Sequence, residues 1–424
     1  GCVRDLMLRL RPADYDVATS ALPEQVRQLF GHKQTLAIGA AFGVILVRAP
    51  RGSGASDVEV ATFRTEGPYL DGRRPEQVVF STAEEDAQRR DFTINGLFFD
   101  PLSEELFDFV GGRADLESRR VRAIGDPRER FREDKLRMLR AVRITARFGF
   151  DLDERTAEAV RDMAGQITVV SQERISQELE KMLTHPQRRR AVELATELQI
   201  LQVVLPELTD VLPASGSFGV TVESAAPIWA RLLRTLDCLS SPDFPLALAA
   251  LLRPIAWLTE GQAGAVDSAG ERLGERVETA CRRLRLSNET TSQCVWLVEQ
   301  GGGLDGVSQL AIATRKRRLA HKWARNLIAL SRAEALGKGV DPVDAEFCEA
   351  YLDATPRSEL QPEPFVTGGD LLAMQVVPGP LFREVLERLY DAQLGGELST
   401  RDAALAQAKQ WVAGSREQNS KKTK

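Results

Sequence analysis

Asp14-Tyr15-Asp16 opens a run of small and β-branched residues, Val17-Ala18-Thr19. Residues i and i+2 of a strand point to the same face, so the two carboxylates offer oxygen ligands to one or two hard cations. A DxD is also how a solvated turn or helix cap reads. A third carboxylate narrows the choice: Glu59 interrupts Val58-Glu59-Val60, an otherwise apolar strand where an unpaired charge is costly. Its bland reading is a charge on an edge strand. Three carboxylates converging from two strands would hold Mg²⁺ ions that activate an RNA hydroxyl and stabilise a leaving pyrophosphate, so no covalent protein nucleophile is needed. The three histidines, His32, His185 and His321, are dispersed, with no HD pair and no HExxH. A metallohydrolase built on histidine is disfavoured.

The elements that would position these carboxylates lie near the start. Residues 1–110 alternate short β-branched runs (Ala37-Ile38, Gly43 to Val47, Val58 to Phe63) with Gly and Pro, and read as a mixed sheet with a few helices. From about residue 127 the pattern shifts to a 3.6-residue period rich in Leu, Ala, Arg and Glu. The fold class is therefore α+β, a small mixed-sheet head followed by an all-α remainder. Breaks are expected at Leu212 to Ser217, at Gly301-Gly302-Gly303 and between Thr355 and Pro364, and Ser415 to Lys424 is expected to fray. With 424 residues, 43% of them hydrophobic, the chain can bury a substantial core. A formal net charge of −5 excludes a globally basic nucleic-acid coat, so any RNA must be held by local cationic patches. The five cysteines are scattered without a CxxC pair, and no apolar run approaches a bilayer span of roughly 20 residues. A cytoplasmic protein without membrane association is expected. The chain opens in the middle of what reads as a functional turn, so a preceding segment with the head's first strand is expected before Gly1.

Four motifs then follow in order: Gly1-Cys2-Val3-Arg4-Asp5, Asp14-Tyr15-Asp16, Arg89 to Asn95 (RRDFTIN), and Glu133 to Arg143 (EDKLRMLRAVR). The series resembles the class II, bacterial-type CCA-adding enzyme and poly(A) polymerase family of the polymerase β nucleotidyltransferase superfamily. The likeness runs from residue 1 to about 183, with a weaker echo at Thr367 to Leu371 and Pro378 to Pro380. It implies a nucleotidyltransferase head over 1–118, a nucleotide-selecting helical neck over 119–205, a helical body over 206–335 and a tRNA-binding helical tail over 336–424. It also implies that Asp14, Asp16 and Glu59 are catalytic metal ligands, that Gly1 and Arg4 meet the triphosphate, and that Arg90, Asp91 and Asn95 lie at the nucleotide. Gly111-Gly112 with Asp115 resembles the family's hinge.

Asp134 and Arg137, three apart, would share one helical face. A carboxylate accepts hydrogen bonds and a guanidinium donates them. Cytosine and adenine pair an exocyclic amino donor with a ring-nitrogen acceptor, whereas uracil and guanine present the reverse. An Asp–Arg pair therefore complements CTP and ATP without a template; its plainer reading is an ordinary helix ion pair. Arg140 and Arg143 lie elsewhere around the helix, where they could reach phosphates or instead pair with a neighbouring acid. Farther along, Arg315-Lys316-Arg317-Arg318 is the densest basic stretch, an RNA contact or a solvated face, and Arg188-Arg189-Arg190 is a second. The expected activity is Mg²⁺-dependent transfer of CMP and AMP from CTP and ATP to the 3′ end of tRNA. A poly(A) polymerase, an enzyme adding only CC or only A, and a non-catalytic RNA-binding module are the alternatives. The loop around Thr65 to Pro75, which would separate the partial activities, is not legible.

Overall fold

The computed structural model describes residues 1–39, 42–50, 52–66, 78–213, 225–258 and 273–422. Compactness divides the chain into two units, Gly1–Leu233 with Glu278–Thr291, and Arg234–Val277 with Ser292–Lys424.

In the first unit, α1 (Cys2–Met7) precedes β1 (Asp16–Thr19), α2 (Pro23–Phe30), β2 (Thr35–Gly39), β3 (Val44–Val47) and β4 (Val58–Thr62). The sheet order is β1-β4-β3-β2; β1 runs parallel to β4, and β3 antiparallel to both its neighbours. Alternation decides the inward face: Ile45 and Val60 turn onto Val26 of α2, with Val47 and Val58 packed around them. Two hairpin-like pairs follow, β5 (Arg64–Glu66) with β6 (Val78–Phe80), and β7 (Leu97–Asp100) with β8 (Glu105–Asp108). Between them α3 (Ala83–Gln88) is started by a reciprocal capping box of Thr82 and Glu85.

Gly111 takes a left-handed conformation (φ 79°) ahead of α4 (Gly112–Glu117). A Cβ on Gly112 would lie 2.2 Å from the Thr93 carbonyl oxygen, so only glycine lets this turn close on the 93–95 segment. Asp115 fixes the same junction, accepting from the Thr93 hydroxyl at 2.7 Å and pairing with Arg122 at 3.2 Å.

Helices dominate from residue 127: α5 (Pro127–Glu133), α6 (Leu136–Phe148), α7 (Glu154–Met163), α8 (Gln172–Leu183), α9 (Arg188–Glu197) and α10 (Leu201–Val204). Asp126 and Asp153 cap α5 and α7 through their carboxylates, and Pro127 occupies the first helical position of α5. Phe92, Ile94, Phe131, Met138, Leu139, Ile144, Ile175 and Leu179 are among the fully enclosed side chains. One short parallel pair, β9 (Arg120–Val121) with β10 (Asp151–Leu152), stands among these helices, where helix alone was expected.

α11 (Ala225–Cys238) leads into the second unit, which contains α12 (Phe244–Leu252) and α13 (Pro254–Trp257); α14 (Leu273–Arg283) spans residues of both units. α15 (Asn288–Gln300), α16 (Ile312–Leu319), α17 (Ala324–Lys338), α18 (Val343–Ala354), α19 (Arg357–Leu360), α20 (Gly368–Ala373), α21 (Pro380–Gly395) and α22 (Arg401–Lys422) follow. α12, apolar on every side, is buried at every position but Pro245. A separate core of Val366, Leu371, Val376, Val385, Leu389, Ala404 and Ala408 joins α20, α21 and α22. The expected fray from Ser415 gives way to helix through Lys422. That stretch has no Pro or Gly, and its Arg, Glu, Gln and Lys are good helix formers even without an apolar stripe.

Candidate active site

The parallel register sets Asp16 beside Glu59, their side chains on one face, while Val17 and Val60 pair on the other. Asp14 lies two residues upstream in the turn entering β1. All three carboxylates are exposed, which corrects the expectation of a costly charge at Glu59. Strand alternation turns Val58 and Val60 inward and Glu59 to solvent, so its charge costs little. Among the described residues no cation pairs with any of the three. Nor does any group of three His, Cys, Asp or Glu among them form a ready-made metal cage. The donor set nonetheless fits a hard divalent cation of the magnesium kind, which binds through one or two carboxylates and takes its other oxygens from phosphates and water.

Beside these carboxylates stands a dense guanidinium network. Residue 1 lies within electrostatic reach of Arg4, Arg90 and Asp16. The acidic and basic parts are thus within electrostatic reach of one another at residue 1. Arg4 is buried in α1, gripped by Asp5 at 2.6 Å, and its Nη1 donates to Asn95 Oδ1 at 2.5 Å. Its guanidinium also lies over the Phe148 ring, 4.5 Å from the centroid. Asn95 Nδ2 donates to Asp91 Oδ1 at 2.9 Å, and Asp91 Oδ1 accepts the Phe92 amide at 2.8 Å. These bonds shape the single 3₁₀ turn Thr93–Asn95. Asp91 Oδ2 takes Arg140 of α6 at 2.7 Å.

Asp91 is 8% exposed. Its burial favours the neutral acid, but Arg140 and the Asn95 hydrogen bond outweigh that and bring the carboxyl down to about 2. The Asp91 charge in turn raises Arg140. Arg90 donates to the Asn95 carbonyl at 2.9 Å and stacks on Phe98, 4.4 Å from the ring centroid. Gly1, Arg4, Arg90, Asp91, Asn95 and Arg140, expected at the nucleotide, are thereby brought into one cluster.

The expectation for Asp134 and Arg137 needs correction, because they do not share a helix. α5 ends at Glu133, and Asp134 is extended (φ −141°, ψ 107°). Asp134 Oδ1 accepts the Leu136 amide at 3.0 Å, an aspartate starting α6 as caps do, and this local bond outcompetes helix continuation. The two side chains are oriented by other partners. Asp134 Oδ2 is held by Arg174 at 2.7 Å, while Arg137 donates to Glu133 at 2.6 Å and to the Arg89 carbonyl at 3.2 Å. Arg143 pairs with buried Glu178 at 2.5 Å.

Five positioning groups were missed from sequence. Asp86, 2% exposed, holds both Arg89 (2.7 Å) and Arg90 (3.1 Å), and its i,i+3 and i,i+4 spacing made it findable. Asp5 beside Arg4 and Glu133 four before Arg137 were equally local. Arg174 and Glu178 lie on α8, 40 and 35 positions from the residues they hold, with no local signal.

In the second unit the basic run lies on α16, and much of it is already engaged. Arg317 pairs with Asp391 at 2.5 Å, Lys316 with Glu359 at 3.4 Å, and Arg315 lies over the Phe347 and Tyr351 rings. Arg318 is half-buried.

Residues 1–122 match the family described as Poly A polymerase head domain, and residues 149–212 that described as a probable RNA and SrmB-binding site of polymerase A. A CCA-adding enzyme of Geobacillus sp. (strain WCH70) is 33% identical over 94% of this chain and 88% of its own length. That of Lactiplantibacillus plantarum is 31% identical over 98% and 92% respectively. Among solved structures, the Bacillus stearothermophilus CCA-adding enzyme in complex with CTP superposes with a TM-score of 0.72 at 25% identity, covering 99% of this chain and 93% of that one.

Proposed function

Because the chain belongs to the CCA-adding enzyme family, we propose that it transfers CMP and AMP from CTP and ATP to the 3′ end of tRNA, releasing pyrophosphate. One observation carries the reading: the strand that bears Glu59 beside Asp16 leads into Phe63, which packs on Phe98 beneath Arg90 (ring centroids 5.6 Å), and Arg64, whose amide donates to Asp86 (3.2 Å), so a metal-seeking edge adjoins a phosphate-seeking one.

Asp14, Asp16 and Glu59 would hold Mg²⁺, whose chemistry is to stabilise charge on the phosphoryl oxygens and acidify the attacking 3′ hydroxyl. Arg4 and Arg90 then receive the triphosphate through charge-assisted hydrogen bonds, pre-oriented by Asp5, Asp86 and Asn95. The Asp91–Arg140 pair ties the head segment 91–95 to α6, so the element bearing Arg137 is fixed relative to the sugar-binding turn. Asp134 accepts the exocyclic amino group of C or A, and Arg137 donates to the ring nitrogen. For U or G both contacts become unpaired or repulsive, at roughly 1–3 kcal/mol each. We assign 1–118, 119–205, 206–335 and 336–424 as head, neck, body and tail on the same reading.

The test is incubation with tRNA ending before CCA, with CTP, ATP or both, followed by sequencing of product ends. Three-residue CCA ends are expected with both nucleotides. Long A tails would make the protein a poly(A) polymerase, and arrest after CC, or A addition only to CC-ended tRNA, a partial enzyme.

A further inference from the structure

A cavity of about 490 Å³ opens on the first unit between α6, α8 and the turn into α9. Arg143 and Arg147 of α6, Lys181 of α8 and His185 of the turn line it, with Met182 and Pro186 among the apolar part of its wall, and no acidic side chain contributes. The nearest acids are committed. Glu178 is taken by Arg143 at 2.5 Å and lies 3.6 Å from Lys181. Asp5 is held by Arg4 at 2.6 Å, against 3.7 Å to Arg147. Arg147 and Lys181 remain 39% and 58% exposed along their side chains, donors at the mouth of a cationic cavity. Two carboxylates thus face four guanidinium or ammonium groups here, Arg4, Arg143, Arg147 and Lys181, and the local field is positive.

His185 adds a directional donor. Its Nδ1 accepts the Gln187 amide at 3.1 Å, which places the ring proton on Nε2. Burial first, then Arg147, Arg188 and Arg143, hold the ring below its usual value and hence neutral. The same cations that repel a charge on the imidazole attract an anion beside it.

We propose that this cavity binds a backbone phosphodiester of the acceptor RNA strand, with Arg147, Lys181 and His185 donating to its oxygens and the exposed Pro186 packing against the adjoining ribose. The mixed wall favours a diester over free pyrophosphate, which would leave the apolar part unused. The α8–α9 side of the cavity, Lys181 to Ala191, lies on the segment that matches a family described as a probable RNA-binding site, whereas Arg143 and Arg147 precede it, and nothing in that match names these side chains. Asp5, shared between Arg4 and Arg147, places the cavity next to the triphosphate cluster. The inference rests on the RNA-extending activity proposed above.

Three histidines make the test spectroscopic, since ¹³C-labelled His185 is read against His32 and His321 in the full chain. An acceptor-stem minihelix ending before CCA should shift the His185 resonance and raise its titration midpoint, whereas inorganic phosphate and pyrophosphate at equal concentration should not. Lys181→Ala and His185→Gln should each raise the minihelix KM about tenfold. Lys181→Ala should also lower the slope of log Kd against log salt by about one, because one phosphate contact is lost. The KM for CTP at saturating minihelix should stay within about twofold under the same rule. If pyrophosphate moves His185 and the minihelix does not, the cavity is a product site and the proposal falls. A wild-type protein that extends the minihelix while His185 stays still overturns the cavity assignment alone. One that fails to extend it overturns the proposed activity.

Discussion

Replacing Arg140 with Met would remove the cation facing Asp91 while keeping the stem of the side chain. The carboxyl sits at about 2 against an ordinary 3.8. At 1.36 kcal/mol per unit this is on the order of 2 kcal/mol of native-state preference for the ionised form. Without Arg140 the carboxylate retains Asn95 Nδ2, the Phe92 amide and the more distant charges of Arg137 and Arg4, against which burial becomes the largest influence. Breaking a fully buried pair costs about 3–5 kcal/mol; Arg140 is 34% exposed, which moves the expectation to about 3 kcal/mol. All five tryptophans lie at residue 229 or beyond, so fluorescence would miss the event. Hydrogen exchange by mass spectrometry over residues 91–95 and 136–148 reads it directly, and about 3 kcal/mol corresponds to exchange roughly a hundredfold faster. The sign of the pH dependence is diagnostic. In the wild type the folded value is depressed, so the Asp91 contribution is complete above pH 3.8 and is lost only as pH falls toward 2. In Arg140→Met the folded value is expected above the ordinary 3.8, so protection should decline as pH rises past 3.8, where the wild type is flat. Adding Asp91→Asn should flatten the variant again and return part of the lost protection. A pH profile parallel to the wild type in the single variant would refute the claim that Asp91 and Arg140 depend on each other.

Asp14→Ala and Asp16→Ala should each abolish nucleotide addition with a melting temperature close to wild type, since both side chains are exposed and unpaired; near-normal turnover at saturating Mg²⁺ would refute the metal assignment. Asp134→Ala should relax discrimination against UTP and GTP, and Arg137→Ala should impair CTP and ATP together. Arg174→Ala should reproduce a weaker form of the first by freeing Asp134; four-nucleotide kcat/KM profiles merely scaled down from wild type would leave these residues as ordinary helix-end pairs. Neutralising Arg315, Lys316, Arg317 and Arg318 together should weaken tRNA binding and flatten its salt dependence. Because Arg317 and Lys316 hold Asp391 and Glu359, loss of stability without a change in salt slope would assign the run to internal pairing.

What was legible in the sequence follows the range of each interaction. The change from period 2 to period 3.6 is set by neighbours within one element, and the mixed sheet followed by helices stands where that change was read. The motif series was legible for the same reason, since Arg89 to Asn95 and Asp14 to Asp16 each act within one turn or strand edge. The error at Glu59 came from counting Val58 and Val60 as an apolar environment. They lie on the opposite face, and period 2 applied strictly would have turned Glu59 outward. The error at Asp134 was also local: an aspartate two residues before Leu136 competes for that amide, and a capping reading predicts the break between α5 and α6.

The remainder could not be read locally, because it depends on which helices pack together. Arg174 and Glu178 stand one turn apart on α8; Arg174 takes Asp134, which starts α6, and Glu178 takes Arg143 farther along it. Each of these four charges, taken alone, reads as solvated surface. Packed, each loses water and gains a long-range partner at 2.5–2.7 Å, so the direction of every side chain is fixed by a residue about 35–40 positions away. Base choice without a template requires such fixation: a carboxylate free to rotate would accept from any donor and reject nothing. On this argument α8 is as much a part of nucleotide selection as α6, although none of its side chains need touch a base.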